Sequence, residues 1–282
     1  MRAHMSTSGR VGGPHQPMAT AACEPAGRAP VSVGRLVMFL VVTLTTTWLA
    51  FLPMIIGAVD KESTAGFFLL LAGIGAPSIT AFLLTAAHEG RVGVRRLGRG
   101  GIRWRVRARW YLAIVAIPAV AFGGSWVVGV AAGTPTAIYP VVPALISGLL
   151  AGLLEEFGWT GLAFPALQAR FGFLLAGAAV GVIVAVWHLP FFLLPGTTQN
   201  ASSFGMFLAI LVAARILFGF LYNASGGSIL LAILLHASGN AWGETLGAGS
   251  DTADPAGLTK LAVFAVAALT AILITRLTEH RP

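Results

Sequence analysis

The chain of 282 residues has a single cysteine and few charged side chains. With only Cys23 present, neither an internal disulfide nor a metal site built from several cysteines is available. Charged residues make up 10 % of the sequence, whereas an ordinary globular domain contains about 25 %. Because hydrophobic residues make up 56 %, the composition excludes an ordinary soluble domain and indicates a membrane protein.

Apolar runs of about 18 residues or more, long enough to cross a bilayer as helices, recur along the chain. We expect an all-α polytopic fold with about eight transmembrane helices, at 36–58, 65–87, 110–132, 141–164, 172–194, 204–222, 228–246 and 258–277. Residues 1–30 are rich in Gly, Pro, Ala and Ser, and we expect them to be a disordered cytoplasmic tail. Residues 31–282 are then one transmembrane domain.

Positive charge is concentrated in the segment between the second and third expected spans, which we expect to be a loop. Eight arginines lie in this segment: Arg91, Arg95, Arg96, Arg99, Arg103, Arg105, Arg107 and Arg109. Such a cluster stays on the cytoplasmic side and contacts anionic lipid headgroups, so we expect a lipid bilayer and no nucleic acid as partner. The acidic residues Asp60, Glu62, Asp251 and Asp254 fall in the opposite loops. The sequence thus predicts a multi-pass plasma-membrane protein with both termini in the cytoplasm.

Glu155 and Glu156 are adjacent within an apolar run, at 141–159, that is long enough to span the membrane. A carboxylate in hydrocarbon costs roughly 2.5 to 3.5 kcal/mol on insertion scales, so a pair indicates a function in a polar cavity. The other ionisable or strongly polar residues of the expected spans also lie mainly in the second half of the chain: His188, Arg215, His236, Asn240 and Glu244.

The spacing of these residues favours hydrolysis. His236 and Asn240 are four residues apart and share one helix face, whereas Glu155 and Glu156 are about 100° apart around their helix. One glutamate can therefore face a cavity while the other braces a neighbouring helix. A glutamate beside a histidine can take a proton from water, and Asn and His donors can stabilise the oxyanion that forms. The same groups could instead hold a divalent metal such as zinc, so the metal site stays unknown.

Three motifs carry a resemblance to a known family. The first begins at Glu155-Glu156 and ends with Pro165-Ala-Leu-Gln168, the second is Val184-Ala-Val-Trp187-His188-Leu-Pro190, and the third runs from Tyr222-Asn223 to His236-Ala-Ser-Gly-Asn240. Together they cover about 140–245. In these motifs the chain resembles the CPBP intramembrane proteases, also called the CAAX protease and bacteriocin-processing or Abi family, related to the type II CAAX prenyl endopeptidase.

The resemblance implies an intramembrane active-site cavity and a glutamate-dependent endopeptidase, a kind of enzyme often labelled a metalloprotease. It assigns Glu155 as general base, with His188 assisting and positioning the water. It assigns His236 and Asn240 to stabilising the oxyanion, and it assigns a supporting role in the pair of glutamates to Glu156. No cofactor is certain, and no second protein is required. The expected partner is a membrane-associated peptide or protein substrate, which the sequence does not identify further.

Thr160 departs from the family pattern, which often has arginine five residues after the first glutamate. We predict that Arg215, a lone cation in the sixth expected span, supplies the missing charge to Glu156. Two other functions fit the same residues. One is a catalytically silent membrane scaffold or bacteriocin immunity protein, and the other is a small transporter in which a Glu/His chain relays protons.

Overall fold

The computed structural model describes residues 31–134, 137–248 and 251–279. The regular secondary structure of these ranges is helical throughout, which confirms the all-α class. The helices are α1 Val33–Ile55, α2 Thr64–Gly101, α3 Ala108–Ala131, α4 Val141–Gly158, a π-helical turn Trp159–Ala163, α5 Phe164–Trp187, α6 Leu189–Leu193, α7 Phe204–Ala224, α8 Ile229–Thr245 and α9 Pro255–Glu279. The expected tail at 1–30, with Cys23, lies outside the described residues.

The expectation of eight spans is slightly too high. Among the described residues, six helical stretches are long and apolar enough to cross a membrane, as in a multi-pass membrane protein. The fourth and fifth expected spans fall in one 53-residue stretch, Val141–Leu193. The seventh expected span corresponds to α8, which has only 17 residues. The number of spans was overestimated because apolar runs alone do not show where a helix continues or stops.

Two glycines bend the long helical stretches. Gly172, at φ 74° and ψ 173°, interrupts α5, so the helical stretch that contains it is not one straight rod. Gly90, at φ 60° and ψ −156°, interrupts α2 in the same way. Backbone with positive φ is readily adopted by glycine alone, which explains why each bend falls where it does. Beyond Gly90, α2 continues to Gly101, so half of the arginine-rich segment, expected to be a loop, is helical.

Close packing of α4 against α8 sets the geometry of the polar residues. A Cβ atom on Gly148 would lie 2.7 Å from the carbonyl oxygen of Ala237, and one on Gly152 would lie 2.8 Å from that of Ile233. Such contacts leave no room for a side chain, so the two backbones touch directly, as small residues permit in membrane helices. This contact brings the end of α4 beside the middle of α8.

Buried tryptophans fill the space between α1, α5 and the π-helical turn. Trp159 and Trp187 are both fully buried, with ring centroids 5.8 Å apart, and Phe39 of α1 packs edge-on against Trp159 at 5.5 Å. The indole of Trp187 donates a 2.8 Å hydrogen bond to Thr47 Oγ1, which donates in turn to the carbonyl oxygen of Gly73. These contacts fix the end of α5, where His188 follows.

Candidate active site

Glu155 and Glu156 lie in the last turn of α4, directly before the π-helical turn Trp159–Ala163. Their exposed fractions are 4 % and 0 %. A buried carboxylate is costly unless other groups compensate it, and π-helical turns inside α-helices often occur at functional sites. The surroundings of the two carboxylates therefore decide what each one does.

Glu156 is fully compensated by three neighbours. Arg215 of α7 contacts both of its oxygens, Oε1 at 3.0 Å and Oε2 at 2.8 Å. The hydroxyl of Thr160, one turn further along the chain, donates to Oε2 at 2.6 Å. His236 Nδ1 of α8 lies 2.8 Å from Oε1. Because Glu156 is bound from α7, α8 and its own helix, it braces the neighbouring helices, as one of the two glutamates was expected to do.

Arg215 is thus paired with Glu156, as predicted from the departure at Thr160. The guanidinium is itself buried, with an exposed fraction of 4 %, and it also lies over the ring of Phe218 at 4.7 Å. A charge-assisted contact to both oxygens of one carboxylate is stronger than a hydrogen bond between neutral groups. The pair therefore ties α7 to the end of α4.

His236 lies between the two glutamates. Its Nδ1 faces Glu156, and its Nε2 lies 3.9 Å from Oε1 of Glu155. An ionised carboxylate can only accept hydrogen bonds, so Glu156 favours a proton on Nδ1 of the imidazole. The hydrogen bond to Glu156 consequently fixes the ring so that Nε2 faces Glu155.

Glu155 is held much less firmly than its neighbour. Its Oε2 atom is buried and accepts no hydrogen bond. The indole of Trp159 lies nearby, but its Nε1 also lacks a partner with hydrogen-bonding geometry. An unpaired buried carboxylate oxygen is uncommon in proteins and calls for an explanation. Glu155 is therefore the glutamate of the pair that has an oxygen free to take a proton.

His188 approaches this group from the end of α5. Its Nδ1 lies 2.8 Å from the carbonyl oxygen of Val184, and its ring packs against Trp187 and Phe207 at 4.6 and 5.0 Å. The side chain is within electrostatic range of Arg215 and His236. It makes no hydrogen bond to either glutamate, so the structure brings it near the cluster without joining it directly.

Asn240 lies one turn beyond His236 on α8. The close approach of Gly148 places the Asn240 Cβ 3.0 Å from the position that a Cβ on that glycine would occupy. Its side chain is half-buried and makes no hydrogen bond within the described residues. Of the five residues singled out from the sequence, the structure thus joins Glu155, Glu156 and His236 directly and leaves His188 and Asn240 at their edge.

The cluster contains three side chains that could ligate a divalent metal, but one of them is already bound by another residue. One ligand atom each from Glu155, Glu156 and His236 lies within 4.8 Å of the others. Both oxygens of Glu156, however, are already bound by Arg215. A cation at 2.8 Å opposes a second cation at the same carboxylate. The donors left are Glu155 and His236 Nε2, fewer than the three protein ligands of a typical catalytic zinc site.

Thr47 is a supporting residue that the sequence motifs did not indicate. Its hydroxyl holds the indole of Trp187, the residue directly before His188. The available signal was the group of threonines, Thr43 and 45–47, inside the otherwise apolar α1. Buried hydroxyls in membrane helices usually bond to neighbouring helices, so these residues were candidates for positioning the site.

Comparison with known proteins agrees with the motifs. Residues 136–242 match the family model described as type II CAAX prenyl endopeptidase Rce1-like. Over 118 residues the chain is 34 % identical to CAAX prenyl protease 2 of Methanococcus maripaludis. The aligned region is 39 % of this chain and 43 % of that protein, so the chain spans less than half the length of this relative. The resemblance to CAAX/CPBP-type proteases is confirmed over residues 136–242, which contain Glu155, Glu156, His188, His236 and Asn240.

Proposed function

We propose that this chain, which resembles CAAX/CPBP-type proteases across its motif core, is an intramembrane endopeptidase. Its substrates are membrane-associated peptides or proteins, and the attacking water is activated by Glu155. The observation that carries the proposal is the contrast between the two glutamates. Glu156 is bound by three side chains, whereas Glu155 has a buried oxygen without a hydrogen bond beside an oriented imidazole.

In the proposed first step, Glu155 takes a proton from water while the water oxygen bonds to the carbonyl carbon of the peptide. His236 presents Nε2 on the side of Glu155, and Asn240 lies one turn away on the same helix. We assign these two side chains to stabilising the oxyanion that develops on the carbonyl oxygen. Asn240 donates from its amide, and His236 acts as an imidazolium that keeps one proton on Nδ1 for Glu156 and donates the other from Nε2. His188 assists by positioning the water.

In the second step the C–N bond breaks and the leaving amine takes the proton from Glu155. The products are a carboxylic acid and an amine, so one water molecule is consumed for each peptide bond. Glu156 does not exchange protons in this scheme, because Arg215 and Thr160 hold it as a carboxylate. Its part is to keep His236 oriented, and that of Arg215 is to keep Glu156 in place.

We propose that the reaction needs no metal. The support is the donor set, because Arg215 already occupies Glu156 and leaves one carboxylate and one imidazole nitrogen beside it. General base catalysis by a positioned carboxylate contributes about 10² to 10⁴-fold to a rate, and this is the share of the rate enhancement that we assign to Glu155.

We also propose a location and an orientation. The arginine-rich segment faces the cytoplasm, and both termini lie on the same side of a plasma membrane. The arginines between 91 and 109 are all exposed, as expected for a headgroup-facing surface. No second protein is required, because the polar cluster is built from α4, α7 and α8 of one chain.

Purified protein in liposomes separates this function from its two rivals. An unmodified membrane peptide and a prenylated CAAX peptide, the substrate type named for the Methanococcus relative, are supplied as reporters. Cleavage by the natural chain but not by the Glu155→Gln variant supports the endopeptidase. Proton-coupled flux without cleavage supports the transporter. If both assays are negative and the Glu155→Gln variant still protects cells from membrane-active peptides, the scaffold is supported.

A further inference from the structure

A shallow recess of about 320 Å³ lies where α2 bends at Gly90, far along the chain from the glutamate pair. Its lining consists of Ala86, Gly90, Arg91, Val94 and Arg95. Ala86 belongs to the apolar half of α2, and the remaining residues belong to the bend and to the arginine-rich half. The recess is therefore located where the apolar helix gives way to the charged segment.

The two arginines of the recess have no carboxylate partner. Arg91 and Arg95 are exposed and form no ion pair in the part of the chain that the structure describes. Glu89, the nearest carboxylate along the chain, is already shared between Arg35 and Arg96. Two guanidinium groups on successive turns, without an acid to neutralise them, form a fixed site of positive charge.

The apolar side of the recess continues along the membrane half of α2. Leu83 and Ala86 precede Gly90 at helical spacing on one face, and Leu83 is 65 % exposed. Val94, half-buried, closes the recess between the two arginines. A ligand that fits this surface has an anionic group beside the arginines and a hydrocarbon part along Leu83 and Ala86.

We propose that this recess binds one anionic phospholipid of the surrounding bilayer. The phosphate contacts Arg91 and Arg95, and the start of an acyl chain lies along Ala86 and Leu83. Arginine binds phosphate oxygens through paired N–H donors, and a lipid supplies both parts of the ligand at the correct depth. This goes beyond general attraction of a basic surface to a membrane, because two of the eight arginines are assigned to one lipid.

The opposite face of the same helix connects the recess to the polar cluster. Leu97 packs beside Gly161 of the π-helical turn, and Gly100 packs beside Ile229 at the start of α8. Phe157, next to Glu156 in the chain, lies against Gly101. A lipid that holds the arginine-rich half of α2 in place therefore supports the helices that carry Glu156 and His236. We expect bound anionic lipid to raise the melting temperature of the whole protein.

The test compares two pairs of substitutions that remove the same charge. Arg91→Gln/Arg95→Gln alters the recess, and Arg105→Gln/Arg107→Gln removes two other exposed arginines outside it. Binding of phosphatidylglycerol and of phosphatidylcholine to the purified full chain is measured by native mass spectrometry. We expect the recess pair to lower phosphatidylglycerol affinity at least about tenfold and the control pair to change it by less than about threefold.

A third variant, Ala86→Trp, keeps every charge and fills the apolar side of the recess. We expect it to weaken phosphatidylglycerol binding as the recess pair does, with melting temperatures measured without added lipid to verify folding. Equal losses in both arginine pairs would overturn the proposal in favour of diffuse surface charge. Tight binding of soluble glycerol phosphate, or undiminished binding by Ala86→Trp, would overturn the assignment of a lipid as the ligand.

Discussion

Arg215 of α7 contacts both carboxylate oxygens of Glu156 of α4, although the two residues are 59 positions apart in the chain. Thr160, at the position where the family pattern often has arginine, binds the same carboxylate with its hydroxyl. The charge that the motif lacks therefore comes from another helix. Glu156, in turn, orients His236, so Arg215 acts on the site through two intervening side chains.

Replacing Arg215 with leucine should damage both stability and cleavage. The change leaves Glu156 as a buried charge without its cation, which typically costs about 3 to 5 kcal/mol of unfolding free energy. His236 loses its fixed acceptor as a result, so the cleavage rate should fall even in the fraction that is folded. Melting temperature and reporter cleavage measure the two effects, and unchanged values for both would refute the positioning role.

A cation placed at residue 160 should restore part of the stability and of the cleavage rate that Arg215→Leu removes. Thr160 is one turn from Glu156 and already touches Oε2, so an arginine there can reach the same carboxylate. We expect Thr160→Arg combined with Arg215→Leu to melt higher and cleave faster than Arg215→Leu alone. Thr160→Val with Arg215→Leu is the matched control without charge, and equal behaviour of the two double variants would contradict the account.

The two histidines should differ in how much stability they contribute. His236→Ala removes a buried hydrogen bond to Glu156 and should lower the free energy of unfolding by about 1 to 3 kcal/mol. The same variant should also lose cleavage. His188 bonds only to the carbonyl of Val184 in its own helix, so His188→Ala should lower cleavage with a smaller fall in melting temperature. Full cleavage by a folded His188→Ala protein would show that this residue only packs against its aromatic neighbours.

The contact between α4 and α8 should be sensitive to a single methyl group. In Gly148→Ala the added carbon would meet the backbone of Ala237, and overpacking of this kind costs about 1 to 3 kcal/mol. The two helices must then separate, which moves Glu155 away from His236. Gly123→Ala in α3 is the control, because nothing lies within 4 Å of its Cβ position. We expect a lower melting temperature and slower cleavage for the first variant only.

Removal of metal should leave cleavage intact. Both oxygens of Glu156 are bound by Arg215, so the cluster offers two free donors to an ion. Protein treated with a strong chelator, with its residual metal content measured, should cleave the reporter at the rate of untreated protein. Loss of activity on chelation, with recovery after one equivalent of zinc, would show that Glu156 or another residue ligates a metal in the working enzyme.

The sequence identified the polar residues of the site more completely than it identified the helix boundaries. Carboxylates and imidazoles are rare inside apolar runs, so Glu155, Glu156 and His236 were recognisable by their cost alone. The pairing of Arg215 with Glu156 was also predictable, because a lone buried cation needs an acid. The relative position of α4 and α8 could not be predicted from the sequence, since the contact at Gly148 depends on how two distant segments pack.

The predicted helix boundaries were wrong where the helix propensity of a segment and its apolar character point to different structures. Arginine is a good helix former, so the charged segment after Gly90 continues as helix, although its charge suggested a loop. In the opposite sense, α8 ends at Thr245 with only 17 residues and is shorter than a typical span. Apolar length alone does not separate these cases. We therefore expected eight spans, whereas six helical stretches among the residues that the structure describes meet the length and apolarity of a span.

The central claim, that the carboxylate of Glu155 activates the attacking water, is tested most directly by one pair of variants. Glu155→Gln keeps the shape of the side chain and removes its ability to accept a proton, whereas Glu62→Gln makes the same change at an exposed site. In liposomes we expect the first to slow reporter cleavage by about 10² to 10⁴-fold and the second to cleave normally. Cleavage by folded Glu155→Gln protein at the rate of the natural chain would contradict the account.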